Sequence, residues 1–83
     1  MKLCDFHIDG LREALSLVGF NPRVHRDATF QAQSLLLQNA MNEAPELLNS
    51  PPTVCPLCYL GLAIAAEWTS KAALSIAKER KLS

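Results

Sequence analysis

Cys55-Pro56-Leu57-Cys58-Tyr59-Leu60-Gly61-Leu62-Ala63-Ile64-Ala65-Ala66-Glu67-Trp68 opens the stretch that decides the fold, and it runs on to Lys81 without another proline. Most of its residues are good helix formers. Pro56 suits a first helical position, where its missing N–H costs nothing. Glu67 and Lys71 stand four apart in the favoured order. Lys78, Arg80 and Lys81 crowd the far end, where cations oppose the helix dipole. The pattern predicts one helix over residues 57–81, about 36 Å long at ~1.5 Å per residue. That is long for so small a chain, so one end is expected to project.

Working upstream, Ser50-Pro51-Pro52-Thr53 reads as a stiff, extended loop, and paired prolines exclude a central strand. Pro45 ends a second helix predicted over 28–43, and residues 46–49 read as one further turn. Asp27 or Thr29 is expected to cap that helix. Its predicted apolar face is Phe30, Leu37, Ala40, Met41 and Ala44, with Leu36 beside them. Its other face is rich in uncharged amides, among them Gln31, Gln33, Gln38 and Asn42. Ile8, Leu11, Leu15 and Val18 fall at helical spacing and predict a first helix over 9–18. Asp9 or Asp5 would cap it, and Gly19 followed by Asn21-Pro22 would end it. No segment sustains a two-residue alternation. The expected fold is all-α, a small three- to four-helix bundle in one domain spanning 1–83.

The chain has three cysteines among 83 residues, and an odd count argues against a closed disulfide framework. Cys55-Pro56-Leu57-Cys58 is a C-x2-C pair, and Cys4-Asp5-Phe6-His7 is a C-x2-H pair. A two-residue spacer lets one short turn present both members of a pair to one ion. Together the pairs offer three thiolates and one imidazole, a donor set suited to structural zinc. The predicted cofactor is therefore zinc on Cys4, His7, Cys55 and Cys58, with His25 as an alternative fourth ligand. Such a site would tie the start of the chain to the third helix. Cross-linking a loop of about 50 residues is a large gain for a chain with a small core.

Other features bound the function. Hydrophobic residues make up 49% and charged residues 19%, the balance of a folded chain rather than a disordered one. Eight basic side chains match eight acidic ones, which excludes a broad electrostatic funnel for nucleic acid but not a local patch. Two local basic clusters stand out, Arg23/His25/Arg26 and Lys78/Arg80/Lys81. The longest apolar run, Leu57 to Ala66, is too short to cross a membrane. No secretory leader is evident at the N-terminus, so the cytoplasm is the expected location.

Hydrolase, P-loop, dinucleotide and zincin motifs are absent from the sequence. Four protein ligands would also leave a metal no open position for catalysis. On the third helix, Gly61, Ala65, Thr69, Ala73 and Ala77 form a small-residue ridge beside Ile64, Trp68, Ala72 and Ile76. Gly61, Ala65, Trp68, Thr69 and Ala73, with the amides Gln31, Gln38 and Asn42, are the expected partner contacts. Leu74 and Leu82 lie off the ridge and would need cover or stay exposed. The resulting expectation is a non-enzymatic helical interaction module, an adaptor, inhibitor or accessory subunit held by zinc, binding a larger protein partner or a second copy of itself. One alternative is a small dimeric nucleic-acid-binding regulator. Another is a thiol redox protein, with Cys55 the nucleophile and Cys58 the resolving thiol.

Overall fold

The computed structural model describes residues 2–80, and the architecture follows from where helices can start and stop along that span. Four helices form in order: α1 (Asp5–Leu17), α2 (Arg26–Glu43), α3 (Pro56–Leu60) and α4 (Leu62–Glu79). A 3-10 turn over Pro45–Asn49 separates α2 from α3. No strand occurs among the described residues. The all-α bundle expected from the sequence is what forms.

Helix α1 begins four residues earlier than its apolar spacing predicts. Cys4 is the N-cap, with extended backbone, and its carbonyl accepts the Ile8 N–H at 2.9 Å. Asp5 then sits in the first turn, where a carboxylate is favoured. Neither Asp5 nor Asp9 is the cap; Asp9 instead meets Arg12 on the surface at 3.3 Å. The earlier start puts His7 on the same face as Leu11 and Leu15, one and two turns away. All three are buried. Gly19 ends the helix in a left-handed conformation, φ 103°. The Gly19 N–H bonds to the Ser16 carbonyl and the Phe20 N–H to the Leu15 carbonyl, a Schellman closure. Phe20 then buries against Leu15 in the core.

Helix α2 turns inward a face that overlaps the predicted one only in part: Leu36, Ala40 and Ala44 are buried as expected, but Ala28 and Ala32 take the place of Phe30, Leu37 and Met41. Ala28, Ala32, Leu36 and Ala40 are fully enclosed, a single row at four-residue spacing. Phe30 is 68% exposed, and Leu37 and Met41 are only half-buried. Size misleads here. Small alanines let α2 approach α1 and α4 closely, whereas Phe30 lies two residues off that row. His25, not Asp27 or Thr29, holds the N-cap position, and it makes no side-chain cap bond.

The predicted single helix over 57–81 is broken at Gly61. That residue adopts φ 105° and ψ 164°, backbone that side-chain-bearing residues avoid. Helix α3 is therefore one short turn set apart from α4. Only Glu79 and earlier residues belong to α4; Lys81 and Leu82 lie outside the described residues. The α4 residues Ala65, Ala72, Ala73, Ile76 and Ala77 are buried, and α4 packs on both α1 and α2. Trp68, half-buried, touches the main core and the smaller cluster of Ala40, Ala44 and Leu47. At the far end of α4, Arg80 reaches Asp27 at 2.9 Å and the Gln31 amide oxygen at 2.9 Å. Gln31 in turn donates to Glu79 at 3.0 Å. The radius of gyration is 12.4 Å, close to the value of about 12 Å expected for a compact chain of this length.

Candidate metal centre

Cys4 and His7 occupy the N-cap and third positions of α1, and Cys55 and Cys58 occupy the same two positions of α3. Those positions lie one above the other where a helix begins, so each pair converges on one point in space. The carbonyls of both N-caps start their helices: Cys4 accepts from Ile8 at 2.9 Å and Cys55 from Tyr59 at 3.1 Å. Pro56, buried at the first position of α3, fixes the local backbone there. The break at Gly61 frees this turn from the axis of α4. Tyr59 adds an anchor by donating to the Glu46 carboxylate at 2.9 Å.

The two starts meet. The sulfurs of Cys4, Cys55 and Cys58 and a ring nitrogen of His7 all lie within 4.8 Å of one another. His7 Nδ1 is 3.2 Å from Cys4 Sγ, 3.4 Å from Cys55 Sγ and 3.5 Å from Cys58 Sγ. The Cys4 and Cys58 sulfurs are 3.7 Å apart. One metal ion could be held by all four. The donors are graded in exposure: His7 and Cys55 are buried, Cys4 is half-buried and Cys58 faces solvent. His7 stacks edge-on against Phe6 at 5.3 Å, and its Nε2 is buried with no hydrogen-bond partner among the described residues. The nitrogen aimed at the sulfurs is therefore Nδ1.

The thiols are electrostatically unequal. Burial alone would raise Cys55, but backbone N–H groups of Cys4 and Cys58 and the His7 ring bring it down to about 6. Cys58 is pushed up to about 12 by desolvation and by the neighbouring sulfurs of Cys4 and Cys55.

All four residues predicted as ligands come together, and His25 does not join them. Its Nδ1 accepts the Asn21 N–H at 3.0 Å, and its ring packs on Phe20 at 5.4 Å. The residues expected to contact a partner are scattered. Ala65 and Ala73 are buried inside the chain, where their small side chains serve the packing of α4. Gly61, Trp68, Thr69 and Gln31 are half-buried, and Gln38 and Asn42 are exposed. Thr69 spends its hydroxyl on the Ala65 carbonyl at 2.6 Å. Leu74 remains exposed at 59%. The two basic clusters stay separate in role: Arg80 is engaged by Asp27 and lies over the Phe20 ring, while Arg23 and Arg26 line a cavity with Arg12. Arg12 was not legible as their neighbour, because nothing local links α1 to residues 23–26. No helix among the described residues is long and apolar enough to cross a membrane.

No protein-family model matches the chain, and no curated protein and no solved structure matches it either.

Proposed function

We propose that the chain is a non-enzymatic helical module, locked by a structural zinc ion on Cys4, His7, Cys55 and Cys58, that works by binding a larger macromolecule. The observation that carries this reading is the convergence of four donor atoms from two helix starts. Zinc–sulfur bonds of about 2.3 Å and zinc–nitrogen bonds of about 2.0–2.1 Å set tetrahedral ligand atoms roughly 3.5–3.8 Å apart. The Cys58 Sγ–His7 Nδ1 separation of 3.5 Å and the Cys4–Cys58 sulfur separation of 3.7 Å fall in that range, while His7 Nδ1 stands closer to Cys55, at 3.4 Å, and to Cys4, at 3.2 Å, so the ring would move outward slightly to admit the ion. Three soft thiolates and one imidazole favour zinc over harder ions. Three thiolates and a dication leave a net charge of −1, which the backbone N–H groups at the two helix starts are placed to stabilise. Four protein ligands close the coordination sphere, so the ion's task is to hold structure.

The arrangement speaks against the thiol redox reading. A nucleophilic cysteine needs both a low pKa and access to its substrate. Here the thiol brought down to about 6 is enclosed, and the exposed Cys58 is the one pushed up to about 12.

Protein purified without a histidine tag is expected to carry one zinc per chain by elemental analysis. Cobalt(II) exchanged into it is expected to give the intense visible bands of tetrahedral thiolate coordination. Metal-free protein that takes up neither ion would overturn the proposal.

A further inference from the structure

Three arginines from three separate segments line one cavity of about 610 Å³: Arg12 of α1, Arg23 of the connector and Arg26 at the start of α2. None of its lining residues is acidic. Arg12 touches only Asp9 on its own exposed helix surface, at 3.3 Å. Among the described residues, no carboxylate lies within ion-pair distance of Arg23 or Arg26. Asp27, the acidic residue nearest in sequence, is taken by Arg80 at 2.9 Å. A chain with no net charge has thus gathered three arginines at one concave place, and two of them, Arg23 and Arg26, have no ion-pair partner among the described residues.

Two further features narrow what fits there. Phe30 lines the cavity, is 68% exposed and belongs to neither hydrophobic cluster. Thr29 also lines it, is 6% exposed, and its Oγ1 has no hydrogen-bond partner among the described residues. Guanidinium forks suit phosphate oxygens. An exposed aromatic ring suits the face of a nucleobase. Asn21 and Gln33, also at the cavity, supply amide donors and acceptors. A bare phosphate would leave the ring unused, and a duplex would keep its bases stacked out of reach.

We propose that this cavity binds single-stranded nucleic acid, with phosphates on Arg12, Arg23 and Arg26 and a base stacked on Phe30. This names the partner class of the module proposed above and rests on that reading. The cavity shares no residue with the metal centre, so the two ideas fail separately.

The test uses the full chain with its metal content measured beforehand, and a fluorescent oligonucleotide of about ten nucleotides, within the usual site size for such binders. Anisotropy is expected to report binding that weakens with salt, with a log–log slope of roughly −1 to −2 for two or three neutralised phosphates. Arg23→Ala and Arg26→Ala are each expected to weaken binding about tenfold. Phe30→Ala is expected to cost about tenfold as well, and Phe30→Trp to preserve binding. These side chains are exposed, so unchanged circular dichroism and melting certify each variant as folded. Metal-loaded protein that ignores the strand at low salt overturns the proposal. So does equal binding by the Phe30→Ala variant, or inorganic phosphate or a phosphopeptide binding as tightly as the strand.

Discussion

His7 joins two placements that a reading by composition keeps apart, core burial and contact with the thiol cluster. Its position one turn before Leu11 buries the ring with the core, while Nδ1 faces three sulfurs. A metal ligand seated in packed surroundings has its orientation fixed before the ion arrives. Cys58 is the opposite case, exposed and held mainly by the turn that carries it. Replacing Cys58 by Ser removes one donor with little loss of packing. It is expected to lower the melting temperature of the zinc-loaded protein by about 10 °C, as a loss of ~2 kcal/mol does in a domain of this size. His25→Ala is expected to leave zinc content unchanged, because that ring sits on Phe20 away from the cluster. A His25→Ala protein that loses its metal would mean the ligand set is wrong. The clustering of Cys4, His7, Cys55 and Cys58 was readable from paired three-residue separations alone. What the spacing could not tell was which thiol would be enclosed, since burial is set by tertiary packing and not by spacing.

Gly61 matters most at the level of the helices, because it decides where the Cys55–Cys58 turn points. A continuous helix from Pro56 onward would hold that turn on the α4 axis. The break at φ 105° lets α3 take its own direction. A Cβ placed on Gly61 meets nothing within 4 Å, so the penalty for a side chain there is purely conformational. Gly61→Ala is expected to cost about 1–2 kcal/mol from backbone strain, seen as a melting temperature lower by roughly 5–10 °C. An unchanged melting curve would show that α3 and α4 tolerate a straight join. Glycine within a run of helix formers reads as a tolerated interruption, so the sequence predicted one long helix. The end of α1 was legible because Gly19 is followed by Asn21-Pro22, two stop signals together. The inward face of α2 was legible only in part, through Leu36, Ala40 and Ala44; Ala28 and Ala32 were missed because alanine carries little hydrophobic signal and the close helix approach that selects it is a tertiary property.

Taken whole, the chain has a thin core of leucines and alanines, with few large side chains fully enclosed. Small chains bury a low fraction of their surface, and a cross-link then carries a large share of the stability. Metal removal by a chelator is expected to lower the melting temperature by about 10–20 °C, since metal binding energy becomes folding energy in such sites. Identical curves with and without chelator would separate the cluster from the fold's stability. The all-α class could be read from the absence of alternation and from three proline-bounded helical stretches. The Arg12, Arg23 and Arg26 cavity could not, since it exists only when α1 is laid beside the start of α2.

The two ligand pairs come from distant stretches of the chain, with His7 and Cys55 standing 48 positions apart. An ion bound by all four would staple those stretches together, so a backbone nicked once between the pairs would stay in one piece for as long as the ion remained.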